Sequence, residues 1–179
     1  MVIGSKVKLR EKKLSDARND YQWQTNPDLV RLDATPPLKI SFSQYLLDYT
    51  SFLRHPGPIR RAFAIETFYG KHIGNCVCYN INEAKKEAEL GVMIGDRDYW
   101  NKGYGTDVVN TLINHVFRET NLERIYLKTL DWNQRAQKCF QKCGFTPYDY
   151  LNRDGYNFVL MELHRNQWEE KKNEVQDRN

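Results

Sequence analysis

The sequence of 179 residues lacks the features of membrane and secreted proteins. No stretch approaches the roughly 18 consecutive apolar residues that a membrane-spanning helix needs, and the mean hydropathy is -0.75. Residues 1–13 are charged and have no apolar core of the kind found in secretory signals. We therefore predict a cytoplasmic protein that does not associate with a membrane.

Cysteine is also scarce, with only Cys76, Cys78, Cys139 and Cys143. No pair has the Cys-x-x-Cys spacing that is typical of zinc sites. We predict four reduced thiols that pack as small hydrophobic groups, and no metal site.

Neither sign of charge dominates, because 27 Lys and Arg face 23 Asp and Glu, for a net charge of +4. The two signs are interspersed, so the sequence permits an anionic ligand but does not favour nucleic-acid binding. Hydrophobic residues make up 40% of the chain and aromatic residues 13%, which is enough for a sizeable core. We predict one domain over residues 1–168 and a charged tail over 169–179 that is frayed or forms a short exposed helix.

The periodicity of apolar residues predicts an α/β (α+β) fold with a mixed sheet of about seven strands and helices on both faces. The strands at 88–94 and 124–130 flank a strong helix and are expected to be parallel. The predicted elements, in chain order, are a strand at 7–10, helices between 15 and 53, a loop at His55–Pro58, three antiparallel strands between 62 and 94, a helix around 108–117, a strand at 124–130, a helix at 133–142 and a hairpin that turns at 153–155.

The most informative segment is Trp100-Asn101-Lys102-Gly103-Tyr104-Gly105-Thr106, which joins a strand to the strongest helix. Two glycines two residues apart let the backbone turn tightly, and the free amides at a helix start favour an anion such as phosphate. Val108 stands where a dinucleotide fingerprint needs a third glycine, and the Lys-Ser or Lys-Thr of a P-loop is missing. A plain strand-to-helix turn is the alternative interpretation.

A second segment, Asn133–Phe145, has the form N-x-x-A-x-x-x-F-x-x-x-G-F. Capping and core packing explain most of it, but not its occurrence at this distance from the glycine loop. Together the two segments resemble the GNAT family of acyl-CoA-dependent N-acyltransferases, in the form seen in its RimJ/RimL-like branch, where the loop often begins with Trp, as Trp100 does here. The likeness covers roughly residues 5–168.

The resemblance implies a splayed sheet, a single N-acetyltransferase domain over residues 1–168, and acetyl-CoA bound in a V-shaped opening between the strands at 88–94 and 124–130. It also implies that an amine attacks the thioester directly, with no covalent enzyme intermediate. The cofactor-binding residues that it implies are Met93 and Ile94 through their backbone, Lys102, Gly103, Tyr104, Gly105 and Thr106 through their amides, and Asn133.

Catalytic and acceptor residues follow the family pattern less closely. Many members carry Tyr and Ser where this chain has Phe140 and Ala136, so the usual proton donor to the leaving thiolate is missing. Glu89 matches a Glu that is often present on the same strand in this branch, and we predict that it acts as a base through water, with a surface ion pair as the alternative. Trp23, Tyr45 and Tyr49 are expected to wall the acceptor site, or else to belong to the core.

We therefore predict an acetyl-CoA-dependent N-acetyltransferase, a monomer or homodimer, acting on a primary amine. The acceptor is a protein N-terminus, a polyamine, an amino acid or an amino sugar. One rival function, suggested by Phe140 and Ala136, is a catalytically silent acyl-CoA-binding or regulatory module. A second rival is a nucleic-acid-binding protein, against which the interspersed charge argues.

Overall fold

The structure is a computed structural model that describes residues 1–55 and 61–176; most of the predicted loop at His55–Pro58, and tail residues 177–179, lie outside the described residues. A mixed sheet in the order β1-β2-β3-β4-β5-β6-β8-β7 forms its centre. Its strands are β1 (Val2–Ile3), β2 (Val7–Arg10), β3 (Arg61–Thr67), β4 (His72–Asn82), β5 (Glu87–Ile94), β6 (Arg124–Leu130), β7 (Thr146–Arg153) and β8 (Tyr156–His164). The helices are α1 (Ala17–Thr25), α2 (Pro27–Leu32), α3 (Phe42–Arg54), α4 (Tyr104–Glu119), α5 (Gln134–Lys142) and α6 (Arg165–Gln176).

The predicted α/β architecture is confirmed, with eight strands among the described residues instead of about seven. The additional strand, β1, has two residues and pairs with β2, and two residues are too few for a period-two pattern to show. The predicted hairpin is also present, because β7 and β8 join through Asp154 and Gly155, whose φ angles of 54° and 79° suit a two-residue turn.

The sheet opens between β5 and β6. These strands are parallel, as predicted, but pair only from Glu87–Arg124 to Glu89–Tyr126. Beyond that point they diverge and leave a V-shaped gap between 90–94 and 127–130. The implied splayed sheet is therefore present, and the gap is the feature that positions the site.

The main core lies between the sheet and α4. The buried face of α4 carries the apolar stripe that predicts this helix, namely Val108, Val109, Leu112, Ile113, Val116 and Phe117. None of the described helices combines the length and the apolar character needed to cross a membrane.

The C-terminal segment is helical, which is one of the two forms predicted for the tail. Helix α6 begins before residue 168 and continues to Gln176, so the helix crosses the predicted boundary. Its Trp168 indole donates a hydrogen bond to Asn114 Oδ1 at 2.7 Å and packs 5.2 Å from the Phe117 ring. The tail therefore starts as a helix that docks on α4 through one aromatic residue.

Candidate functional site

The loop before α4 has the backbone that its glycines suggest. Gly103 caps α4 with a φ of 81°, and Asn101 also has a left-handed φ, of 57°. Glycine and asparagine tolerate this region best, so the loop carries suitable residues at both positions. The Asp107 carboxylate in the first turn of α4 accepts the backbone N–H groups of Ser5, Lys6 and Val7 at 2.9, 2.7 and 3.1 Å, which ties the start of β2 to this loop.

A cleft of about 1380 Å³ follows the V-shaped gap. Its walls combine the starts of α4 and α5 with residues of α2, α3 and the diverging strands. Of the residues named from sequence, the cleft wall includes Met93, Ile94, Gly103, Gly105, Thr106, Asn133, Tyr45 and Tyr49. Lys102, Tyr104, Trp23 and Glu89 lie outside that wall.

Several of the implied cofactor residues already have partners. The Ile94 carbonyl accepts the Trp100 indole N–H at 2.7 Å, so only the backbone N–H of Ile94 is left for a ligand. The Asn133 side-chain oxygen caps α5 by accepting the Ala136 N–H at 3.2 Å. The Tyr104 ring packs edge-on against Tyr99, with centroids 4.9 Å apart.

Helix α5 makes its side of the cleft basic. The Arg135 guanidinium lies 3.5 Å from the centroid of the Trp100 ring, and Lys138 and Lys142 line the same side. Arg135 forms no ion pair within the described part of the chain, so its charge is available to an anion. Sequence reasoning missed these three residues because it assigned the α5 segment to capping, core packing and the family motif, and named only Asn133 from it as a cofactor contact.

The three aromatic residues predicted for the acceptor site separate in the structure. Tyr45 and Tyr49 are 8% and 7% exposed and line the cleft. Trp23 instead packs against the His72 ring at 4.9 Å and covers Gly95 so closely that a Cβ there would meet its ring at 2.1 Å. The structure therefore groups the two tyrosines with the cleft and places Trp23 beside it as a packing residue.

A buried polar network missed by sequence reasoning underlies this acceptor side. Asp20 is 1% exposed and accepts hydrogen bonds from Lys12 Nζ at 2.5 Å, Asn75 Nδ2 at 2.6 Å and the Tyr49 hydroxyl at 3.0 Å. Burial lowers the pKa of Lys12, although the charge of Asp20 offsets part of that effect. Burial and Asp20 together raise the pKa of Tyr49.

The network continues away from the cleft through Asp16. Its carboxylate receives both terminal nitrogens of Arg10 at 2.8 Å and lies 3.5 Å from His72 Nδ1. Glu66 also forms an ion pair with Arg10, at 2.5 Å. The sequence feature that could have indicated this network is the four-residue spacing of Asp16 and Asp20, which places both on one face of a helical segment.

Glu89 forms an ion pair, but a buried one. It is 5% exposed and accepts hydrogen bonds from the Tyr79 hydroxyl at 2.7 Å, Asn80 Nδ2 at 2.9 Å and Lys128 Nζ at 2.5 Å. These three donors engage both carboxylate oxygens, and Glu89 lies outside the cleft wall. Its role as the base stays a prediction.

The thiols of α5 give a testable pH dependence. Hydrogen bonding with Cys143, helped by Thr106 and the charges of Lys142 and Arg135, lowers the pKa of Cys139 to about 6 against the opposing effect of burial. We expect iodoacetamide to alkylate Cys139 first at pH 7.5, with a rate that rises through a midpoint near pH 6, because the thiolate is the reactive form. Peptide mass spectrometry over a pH series measures this.

Two variants control the alkylation experiment. Cys143→Ala should move the midpoint up towards the ordinary value of about 8.5, since the principal hydrogen bond is lost. Cys139→Ala should remove the fast reaction. A wild-type midpoint of 8 or above would contradict the assignment.

Comparisons with known proteins agree with the site. The model of the acetyltransferase (GNAT) domain matches residues 6–146. The uncharacterized N-acetyltransferase p20 of Bacillus licheniformis is 27% identical over 141 residues, 78% of this chain and 79% of its own. The spermidine N(1)-acetyltransferase of Vibrio cholerae serotype O1 is 25% identical over 149 residues, 83% of this chain and 84% of its own.

Among solved structures, the spermidine N-acetyltransferase from Vibrio cholerae in complex with CoA and spermine superimposes with a TM-score of 0.81 at 22% identity, covering 92% of this chain and 98% of that one. This likeness supports the fold, while the domain match supports the family. The chain belongs to the GNAT acetyltransferase family and is an acetyl-CoA-dependent N-acetyltransferase.

Proposed function

We propose that this enzyme acetylates a primary amine of a small polycation of the polyamine class. The observation that carries the proposal is the opposite charge of the two sides of the cleft. Arg135, Lys138 and Lys142 line the side of α5, whereas the carboxylates of Asp33 and Asp48 line the side of α2 and α3. The basic side suits the phosphates of acetyl-CoA, and the acidic side suits an acceptor with several ammonium groups.

The charges on the acceptor side do not cancel. Lys12 pairs with Asp20 and Lys128 pairs with Glu89, which accounts for both lysines of that side. Asp33 and Asp48 have no ion-pair partner in the ranges that the structure describes, and both are exposed to the cleft. An ammonium group of the acceptor would supply the missing counter-charge.

Acetyl-CoA, the co-substrate in this proposal, fits the opposite side. The N-terminus of α4, its positive end, borders the cleft at Gly103, Gly105 and Thr106, and backbone N–H groups there would hold a pyrophosphate. The glycine at 105 leaves space that a Cβ, at 3.4 Å from Cys139 Sγ, would occupy. The spermidine acetyltransferase relative supports the choice of acceptor. The RimJ/RimL-like branch and the cytoplasmic location stay predictions.

Release of the CoA thiol in the presence of spermidine, spermine, a monoamine, a free amino acid, an amino sugar and a short peptide tests the proposal. We expect kcat/KM to be highest for the two polyamines. Equal rates with the monoamine would exclude a polycation-selective site. Failure to release CoA with every amine would instead favour the silent acyl-CoA-binding module.

Asp33→Asn tests the acidic side directly. We expect KM for spermidine to rise about fivefold with little change in kcat, because one ammonium–carboxylate interaction of about 1 kcal/mol is lost. The monoamine should be affected less. Asp28→Asn is the matched control, since Asp28 is an exposed carboxylate that pairs with Arg97 outside the cleft wall. Equal effects of the two substitutions would contradict the role of Asp33.

A further inference from the structure

We propose that Thr129 is a catalytic residue, whose hydroxyl donates a hydrogen bond to the sulfur of acetyl-CoA as the thiolate leaves. This inference rests on the acetyl transfer proposed above. It assigns to β6 a task that Phe140 and Ala136 on α5 lack the protic groups to perform.

The position of Thr129 follows from the point at which the sheet opens. The last paired residues of the parallel strands are Glu89 and Tyr126. Thr129 lies three residues beyond Tyr126 on β6, and Val92 lies three residues beyond Glu89 on β5. At a rise of about 3.3 Å per residue, both are about 10 Å past the last pair. Thr129 and Val92 are therefore at the same depth on opposite arms of the V.

Thr129 also lies on the face of the sheet that carries α4 and α5. Successive residues of a strand point to opposite faces, so Thr129 shares a face with Leu127 and Ile125. Those two residues are buried in the core cluster that includes α4 and Phe140 of α5. Lys128, on the other face, pairs with Glu89. Thr129 thus lies on the side of the two helices that provide the phosphate-binding side of the cleft.

The environment of Thr129 leaves its hydroxyl without a protein partner. The residue is 6% exposed and lines the cleft. Within residues 1–55 and 61–176, its side chain forms no hydrogen bond. The cleft wall around it includes Leu130, Phe140 and Phe158, which are apolar and at most 8% exposed. A valine would pack equally well here, so a hydroxyl that reaches the cleft without a protein partner is available to a ligand atom that accepts its hydrogen bond.

The other protic candidate in this part of the cleft is a poor donor. Cys139 is next to Phe140 on α5, but hydrogen bonding with Cys143 lowers its pKa to about 6. Adjacent helix positions also point about 100° apart, and Cys139 Sγ lies 3.6 Å from Thr106 Oγ1 at the start of α4, so the thiol does not occupy the position of the Phe140 ring. Thr129 stays protonated at any working pH and can donate throughout the reaction.

The chemistry balances without a further reactant. The amine nitrogen forms a bond to the thioester carbonyl carbon, and the C–S bond breaks with its electron pair moving to sulfur. The Thr129 hydroxyl remains neutral and stabilises the developing negative charge on sulfur by a hydrogen bond. The proton released by the nitrogen finally neutralises the thiolate, so the products are the acetylated amine and the CoA thiol.

Thr129→Val removes the hydroxyl at nearly constant volume. We expect kcat to fall about 10-fold, which is less than the roughly 10²–10⁴-fold typical of general acid–base catalysis, because a thiolate is a good leaving group. The Kd for acetyl-CoA should stay within about twofold, and Thr129→Ser should restore most of kcat. Thr111→Val is the matched control, since the buried Thr111 hydroxyl bonds the Asp107 carbonyl outside the cleft wall. Its kcat should be unchanged.

A second variant tests the chemical role independently of packing. Phe140→Tyr in the Thr129→Val background should recover the lost activity by supplying a phenol close to the sulfur. A Thr129→Val kcat within twofold of wild type, or a loss that neither Thr129→Ser nor Phe140→Tyr restores, would overturn the inference. Failure of the wild-type protein to release CoA with any amine would overturn the proposed function itself. The wild-type measurement therefore distinguishes failure of the proposed function from failure of the Thr129 inference.

Discussion

Replacing Gly103 by valine should raise the Kd for acetyl-CoA about 100-fold. Gly103 has a φ of 81°, and a β-branched residue there costs about 1–3 kcal/mol of backbone strain. A Cβ would meet only Lys6 Cε at 3.6 Å, an ordinary contact, so the strain arises from the backbone itself. Relief of that strain reorients the N–H groups at 104–106, and the upper end of this energy range corresponds to about two orders of magnitude in affinity.

Isothermal calorimetry with acetyl-CoA measures this effect, and circular dichroism checks that each variant is folded. Gly103→Asn is the matched control, because asparagine tolerates a left-handed φ, as Asn101 does two residues earlier. It should bind acetyl-CoA within about fivefold of wild type. Unchanged affinity in a folded Gly103→Val protein would show that the loop does not hold the co-substrate.

Replacing Asp16 by alanine should lower the free energy of unfolding by about 3 kcal/mol, because the buried Arg10 guanidinium loses two charged hydrogen bonds and keeps its ion pair with Glu66. The two side chains are 3% and 11% exposed and share two hydrogen bonds of 2.8 Å. Asp16 also accepts the Lys13 N–H at 2.8 Å. Urea unfolding of both proteins at pH 7 gives the difference.

Asp28→Ala is the control for that measurement, since Asp28 and Arg97 form an exposed pair with 78% and 49% exposed side chains. Its removal should cost less than about 1 kcal/mol. A cost for Asp16→Ala as small as this would contradict a stabilising role for the buried pair.

The same pair predicts a pH dependence. Burial alone would raise the pKa of Asp16, but hydrogen bonds from Arg10 and Lys13 outweigh it and hold the pKa below 3.8. A depressed pKa contributes stability that is present above the unfolded-state value and is lost as the pH falls through the folded-state value. The difference in stability between wild type and Asp16→Ala should therefore shrink below about pH 4.

Local chemistry explains which parts of the fold were predictable. The capping of α5 by Asn133 and its termination at Gly144, where φ is 103°, depend on neighbours in the chain and are visible in the sequence. The apolar stripe of α4 also depends only on residues close together in the chain. The two-residue strand β1 could not be predicted in this way, because it exists only through its pairing with β2.

The site was less predictable because its contacts join distant segments. Lys12 and Asn75 are 63 residues apart in the chain yet share a hydrogen bond. No periodic pattern in the sequence predicts a contact of this kind. Trp23 is an aromatic residue of the kind expected at an acceptor site. Gly95 has no side chain, however, so the Trp23 ring packs directly against the backbone there. In the sequence, nothing distinguishes Thr129 from other strand residues. Only the divergence of β5 and β6 exposes its hydroxyl to a ligand.

That divergence also gives the sheet two inner edges in addition to the outer edges at β1 and β7. An unpaired strand edge usually invites another polypeptide strand and hence aggregation. Here the inner edges face each other with α4 and α5 behind them, and an entering strand would need room for side chains on both faces. A ligand with a thin, unbranched chain has no such side chains and needs no such room. The fold therefore keeps unsatisfied backbone groups where a thin ligand can reach them and where a second copy of the protein cannot.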